Sequence, residues 1–155
     1  MTKLEALYEF ADDNAIDIIN GAFSQTKKAA CLHLKPDKLI VLDVAAMESK
    51  AEEVAILCEE IGHFETGALY VINSTYNTKI ARNNRIKYEA QARHWAYNKC
   101  CTPCEIETAF KQEGVYGESA VAEYCQVTVG FLHKAIEYHR SCGVTFSFDN
   151  NGDCA

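Results

Sequence analysis

Residues 49–67 read SKAEEVAILCEEIGHFETG, and the order of residue types in that stretch argues for one amphipathic helix. Ser49 and Glu52 form an S-x-x-E capping box, which satisfies the first backbone donors of a helix just before the apolar periodicity begins. Gly67 tolerates the left-handed conformation in which helices end, so the helix is expected to run to about Thr66. At about 100° per residue, Val54, Leu57, Ile61 and Phe64 fall on one core-facing stripe. Glu52, Ile56, Glu59 and His63 fall on roughly the opposite side, with Glu60 beside them.

Working outward, Leu4, Leu7, Tyr8 and Ala11 recur at helical spacing and predict a first helix over about residues 2–14. Ile16, Ile18 and Ile19 around Asp17 suggest a short strand. Residues 30–34 and 38–44 are β-prone runs joined through Lys35-Pro36-Asp37, a plausible hairpin. On the other side, residues 68–79 read as a loop and about 80–100 as a second strong helix. Thr102-Pro103-Cys104-Glu105 starts a third, with Thr as cap and Pro in the first turn, ending near Gly114. Helices over about 118–125 and 129–141 follow, and Gly143 stops the last. Val144, Phe146 and Phe148 alternate with Thr145 and Ser147 as a short edge strand would, and the tail NNGDCA reads as loose. The expected class is α+β, with a small sheet of about three strands and five or six helices.

Composition narrows the function. Hydrophobic residues make up 48% of the 155 and charged residues 24%, too apolar for a disordered chain. Fifteen Lys and Arg against 22 Asp and Glu leave a net charge of −7, which argues against coating nucleic acid through bulk positive charge. No apolar run approaches the roughly 18 residues that span a bilayer. The first residues, MTKLEALYEFADDN, are acidic and amphipathic rather than an export signal. The cytoplasm is therefore the expected compartment, and the eight cysteines are expected to be reduced thiols.

The chemistry sits in Cys58-Glu59-Glu60-Ile61-Gly62-His63. Glu59 and His63 are four apart, so carboxylate and imidazole reach one point and can hold a divalent metal. Glu60 is angled to address a metal-bound water without ligating the metal. This is the geometry of the H-E-x-x-H zinc helix with Glu59 at the first His position. There the metal acidifies its water and the adjacent carboxylate takes the proton as the water attacks a carbonyl. A solvated acidic helix face carrying one His has the same composition, so these six residues leave both readings open.

The next helix adds Glu89, Ala92, Arg93, Trp95 and Ala96, in the register E-x-x-A-[NR]-x-[FW]-A. With E-E-x-x-H before it, the chain resembles the ImmA/IrrE family of metallopeptidases, and the phage- and mobile-element-associated branch in particular. The resemblance covers roughly residues 3–141 and includes the separation of His63 from Glu89. It implies a zincin-like minimal metallopeptidase fold, with residues 1–101 as the metallopeptidase-like domain. Residues 102–143 would be a C-terminal helical extension packed on it, and 144–155 a short strand and tail. It makes His63 and Glu89 metal ligands and Glu60 the general base, with Glu59 at the position of the family's first ligating His. The implied cofactor is one divalent metal, zinc first. Two carboxylates and one imidazole form a harder donor set than the family's, which shifts the balance toward Mn²⁺ or Fe²⁺. The implied activity is endopeptidase cleavage of a helix-turn-helix repressor from a phage or mobile element. The alternative is a weak or inactive peptidase-like protein that binds a transcriptional regulator without cutting it.

Three other signals compete. Cys101 and Cys104 form a C-x-x-C at a helix start, but it follows a helix rather than a strand and has no second pair. Residues 118–140 resemble a helix-turn-helix, but Glu118, Glu123 and Glu137 deny it the basic face of a DNA reader, so nucleic acid is not the expected partner. Arg85 and Arg93 flank Glu89 at i−4 and i+4, where they read as ion pairs on the helix surface. Trp95 is expected in the helix–helix core with Ala92 and Ala96.

Overall fold

The structure, a computed structural model, describes residues 1–24, 26–68 and 79–149. Of the expected loop at 68–79, residues 69–78 lie outside the described residues, as does the tail at 150–155, and Lys79 already belongs to a helix. Helix α1 spans Lys3–Asp13 and starts on a complete capping box: Thr2 Oγ1 accepts from the Glu5 N–H, and the Glu5 carboxylate accepts from the Thr2 N–H. Strand β1 (Ile16–Asn20), β2 (Ala29–Leu34) and β3 (Asp37–Leu42) form one sheet in the order β1-β3-β2. β2 and β3 pair antiparallel as the expected hairpin, and β1 runs parallel to β3. β3 is therefore the central strand, and its Ile40 and Leu42 are fully buried.

Helix α2 spans Lys50–Glu65 with Ser49 as its cap, and Gly67 sits at φ +66 just beyond its end. Val54, Leu57, Ile61 and Phe64 are buried along the expected stripe, and Cys58 is buried beside them. Helix α3 spans Lys79–Cys100, about 33 Å at helical rise. Its first thirteen residues contain none that is buried; from Ala92 onward Ala92, Ala96, Tyr97 and Cys100 are enclosed. Trp95 lies at the margin of that core, tilted against Phe10. α2 and α3 pack antiparallel, because Cys58 meets Cys100 at one end and His63 meets Glu89 at the other. Their closest approach is at Gly62, where a Cβ would stand 2.5 Å from the carbonyl oxygen of Ala92.

Helices α4 (Pro103–Lys111), α5 (Gly117–Tyr124) and α6 (Val129–Ser141) complete the chain, with Thr102 and Thr128 capping α4 and α6. One hydrophobic cluster runs continuously from Leu7 to Phe146, so these helices share a core with the sheet and with α2. The Lys3 ammonium stitches the seam: it donates to the carbonyls of Cys100 and Cys125 and pairs with Glu105 at 2.7 Å. Orphan carbonyls at helix ends are suitable acceptors for such a cation. The surface of α5 and α6 exposes Glu118, Glu123 and Glu137 against Lys134 and Arg140.

Two expectations are corrected. Residues 144–149 form no strand; 147–149 make a short 3₁₀ turn. The alternation there serves a different end, because Phe146 plugs the core and Phe148 stacks on Phe110. Nor are all the cysteines thiols: Cys58 is joined to Cys100, while Cys31, Cys101, Cys104, Cys125 and Cys142 are free. Among the described residues, no helix is long and apolar enough to cross a membrane.

Candidate functional site

The second half of α2 delivers Glu59, Glu60 and His63; α3 delivers Glu89 and Arg93 from across the helix pair. His63 is only 4% exposed, so it does not belong to a solvated face. Its Nδ1 lies 2.8 Å from the carbonyl oxygen of Ala68, which Gly67 turns back toward the ring. A carbonyl only accepts, so Nδ1 carries the proton and Nε2 is the basic nitrogen. Nε2 faces Glu89, with Oε2 at 3.7 Å. A backbone carbonyl orienting an imidazole in this way is the usual support of a ligating histidine.

The 3.7 Å separation is too long for a hydrogen bond. Two donors bonded to one tetrahedral zinc at about 2.0–2.1 Å stand about 3.4 Å apart, so the pair fits a shared cation with little movement. Glu59 belongs to the same electrostatic neighbourhood. Burial holds its carboxyl above the usual carboxylate range, the Arg93 guanidinium pulls it down, and Glu89 and Glu60 push it up again. Among the described residues, however, no group of three His, Cys, Asp or Glu side chains is drawn together as a metal site. Repulsion among the carboxylates and the pull of Arg93 on Glu59 both oppose such convergence.

Glu60 is also held above its usual range by burial, offset by His63, by a hydrogen bond with Cys31 and by Lys27. Cys31 projects from β2 toward it, and burial together with Glu60 pushes that thiol up to about 12. Glu59 and Glu60 line an open cleft of about 360 Å³ together with Thr26 and Ala29. The Lys28–Glu52 ion pair, 2.7 Å long, lies along the same cleft.

The structure thus brings Glu59, Glu60, His63 and Glu89 into one neighbourhood and pairs His63 directly with Glu89. Cys31, Lys27 and the action of Arg93 on Glu59 across the helix pair are additions. In the β-prone run 30–34, Leu32 and Leu34 alternate with Cys31 and His33, but alternation alone does not say which face is inward. Here Leu34 is 59% exposed, while His33, two residues after Cys31, meets Phe64 of α2 edge-on.

The raised carboxyls set a pH dependence. A carboxyl whose pKa is higher folded than unfolded keeps more protons in the folded state between the two values, so stability falls as pH rises through that window. In chelator-treated protein the contribution of Glu59 and Glu60 to stability is expected to fall as pH climbs above the ordinary Glu value of 4.5, against the opposite contribution of Glu5, Glu52, Glu107 and Asp149, whose carboxyls are held below their usual range. In parallel melts the stability of wild type relative to Glu60→Gln should fall as pH rises through that window, and a difference that does not change with pH contradicts the assignment.

Comparison with protein-family models, with characterised protein sequences and with solved structures gives no match.

Proposed function

We propose that this chain is a metal-dependent endopeptidase of the ImmA/IrrE type, built on a zincin-like minimal fold and working in the cytoplasm. The observation that carries the reading is His63, whose Nδ1 is committed to the Ala68 carbonyl and whose Nε2 faces Glu89 at 3.7 Å. Glu59, His63 and Glu89 would hold one divalent ion, zinc first, with Mn²⁺ or Fe²⁺ favoured by the two carboxylates. When bound, such an ion acidifies a water and polarises a carbonyl.

The chain's own groups do the rest. Glu60, buried and held above its usual range, is suited to take a proton at its carboxylate from the attacking water and return it to the departing amine. Cys31 hydrogen-bonds to that carboxylate and so orients it. Arg93 offsets charge at Glu59. The proposed substrate is a helix-turn-helix repressor of a phage or mobile element, as the resemblance implies.

A second reading, a peptidase-like protein that binds a transcriptional regulator without cutting it, draws on two facts. Glu59 stands where the resembled family carries an imidazole, and no three-donor group is drawn together among the described residues. Incubating the protein with such a repressor and Zn²⁺, Mn²⁺ or Fe²⁺ separates the two. Discrete fragments that disappear with chelator support the peptidase. A stable complex with intact repressor under all three metals supports the binder.

A further inference from the structure

Two cysteines that the proposed chemistry does not use lie between the helices that carry the site. Cys58 of α2 and Cys100, the last residue of α3, are bonded sulfur to sulfur, and both are sealed from solvent. Because the helices are antiparallel, one lateral bond between them limits how far either can slide along the other. That register places His63 opposite Glu89 and Gly62 against Ala92. One residue of axial slip is about 1.5 Å. On a pair 3.7 Å apart, that is enough to spoil a shared position.

The Cys58 sulfur also lies 3.7 Å from the carbonyl oxygen of Ala96, an acceptor for a thiol S–H. Oxidised, the sulfur is satisfied by its covalent bond; reduced, the buried Cys58 thiol has an acceptor waiting, so the core provides for this sulfur in both states. We propose that Cys58 and Cys100 are a reversible thiol–disulfide couple whose redox state sets the register of α2 on α3, and with it the geometry of the site between them.

The oxidant is a small disulfide of the glutathione class. Because both sulfurs are sealed in the folded state, exchange proceeds through local opening at the end of α3, where one cysteine thiolate attacks the small disulfide and displaces a small thiolate. The other cysteine then attacks the mixed disulfide, closes the Sγ–Sγ bond and expels the second small thiolate. Two electrons pass to the small disulfide, and the two cysteine protons end on the released thiols. A dithiol reverses the sequence. The inference rests on helix packing and not on the peptidase reading, and its test needs neither metal nor substrate.

The full chain is equilibrated in oxidised or reduced glutathione, its free thiols are blocked, and it is digested without reductant. Amide exchange is measured on each sample. Expected is one linked peptide pair containing Cys58 and Cys100 at the oxidising poise, lost after dithiol treatment. Amide exchange in residues 58–65 and 85–97 should be at least about tenfold faster in the reduced protein. Separate blocking of Cys58 and Cys100 at the oxidising poise overturns the proposal, as does exchange that is equal in the two states. Cys58→Ser should exchange like the reduced wild type at either poise. A poise-dependent change that persists in this variant assigns the effect to another cysteine and also overturns the proposal. Should the variant not fold, the two-poise comparison of the wild type decides alone.

Discussion

Glu60→Gln is expected to lower repressor cleavage by at least about a hundredfold, the scale of a lost general base, while leaving repressor binding intact. Gln keeps the shape of the side chain but cannot take up a proton. Its effect on the fold should be opposite in sign. Burial disfavours the charged form of Glu60, so a neutral isostere relieves that cost, and the variant should melt no lower than wild type near neutral pH. Loss of cleavage with retained or raised stability separates a chemical role from a structural one. Full cleavage by Glu60→Gln removes Glu60 as the base.

Gly62→Ala is the second large effect. A Cβ at Gly62 would stand 2.5 Å from the Ala92 carbonyl oxygen and 3.2 Å from its C and Cα. All three atoms are helix backbone, which cannot rotate away as a side chain can. Alanine gains about 1 kcal/mol over glycine in helix propensity, and the forced separation of α2 from α3 must exceed that gain. Overpacking of this kind leaves an expected net loss of about 2 kcal/mol in urea unfolding, together with weaker metal binding as His63 moves off Glu89. Gly130→Ala is the control: Gly130 lies in α6 with nothing near its Cβ position, so that variant should gain stability by about 0.5–1 kcal/mol. Similar gains from both substitutions contradict the close approach.

Much of the fold is legible in local chemistry. Ser49, Thr102 and Thr128 each cap a helix with a side-chain oxygen on a backbone N–H three residues on. Gly67 and Gly143 both adopt the positive φ that ends one. These are interactions among near neighbours, which a single sequence displays directly. The strand order is not local. β1 pairs directly with β3, which follows β2 in the chain, a pairing between segments distant in sequence. Cys58 and Cys100 are 42 residues apart, and neither shows in sequence that the other is its partner.

The site divides in the same way. Glu59, Glu60 and His63 share one helix and their spacing is visible. That Arg93 acts on Glu59, and that Cys31 reaches Glu60, depends on how α3 and β2 pack on α2. The segment 144–148 shows the opposite failure. Its apolar alternation is real, but Phe146 and Phe148 serve aromatic packing in a tail rather than a sheet.

The most direct measurement is anomalous scattering at the zinc edge from crystals of the full chain grown with Zn²⁺. Expected is one strong peak bonded at about 2.0–2.2 Å to Nε2 of His63 and to the carboxylates of Glu59 and Glu89. A saturated crystal with no peak between His63 and Glu89, or with zinc held elsewhere, contradicts the metal centre and the hydrolase built on it.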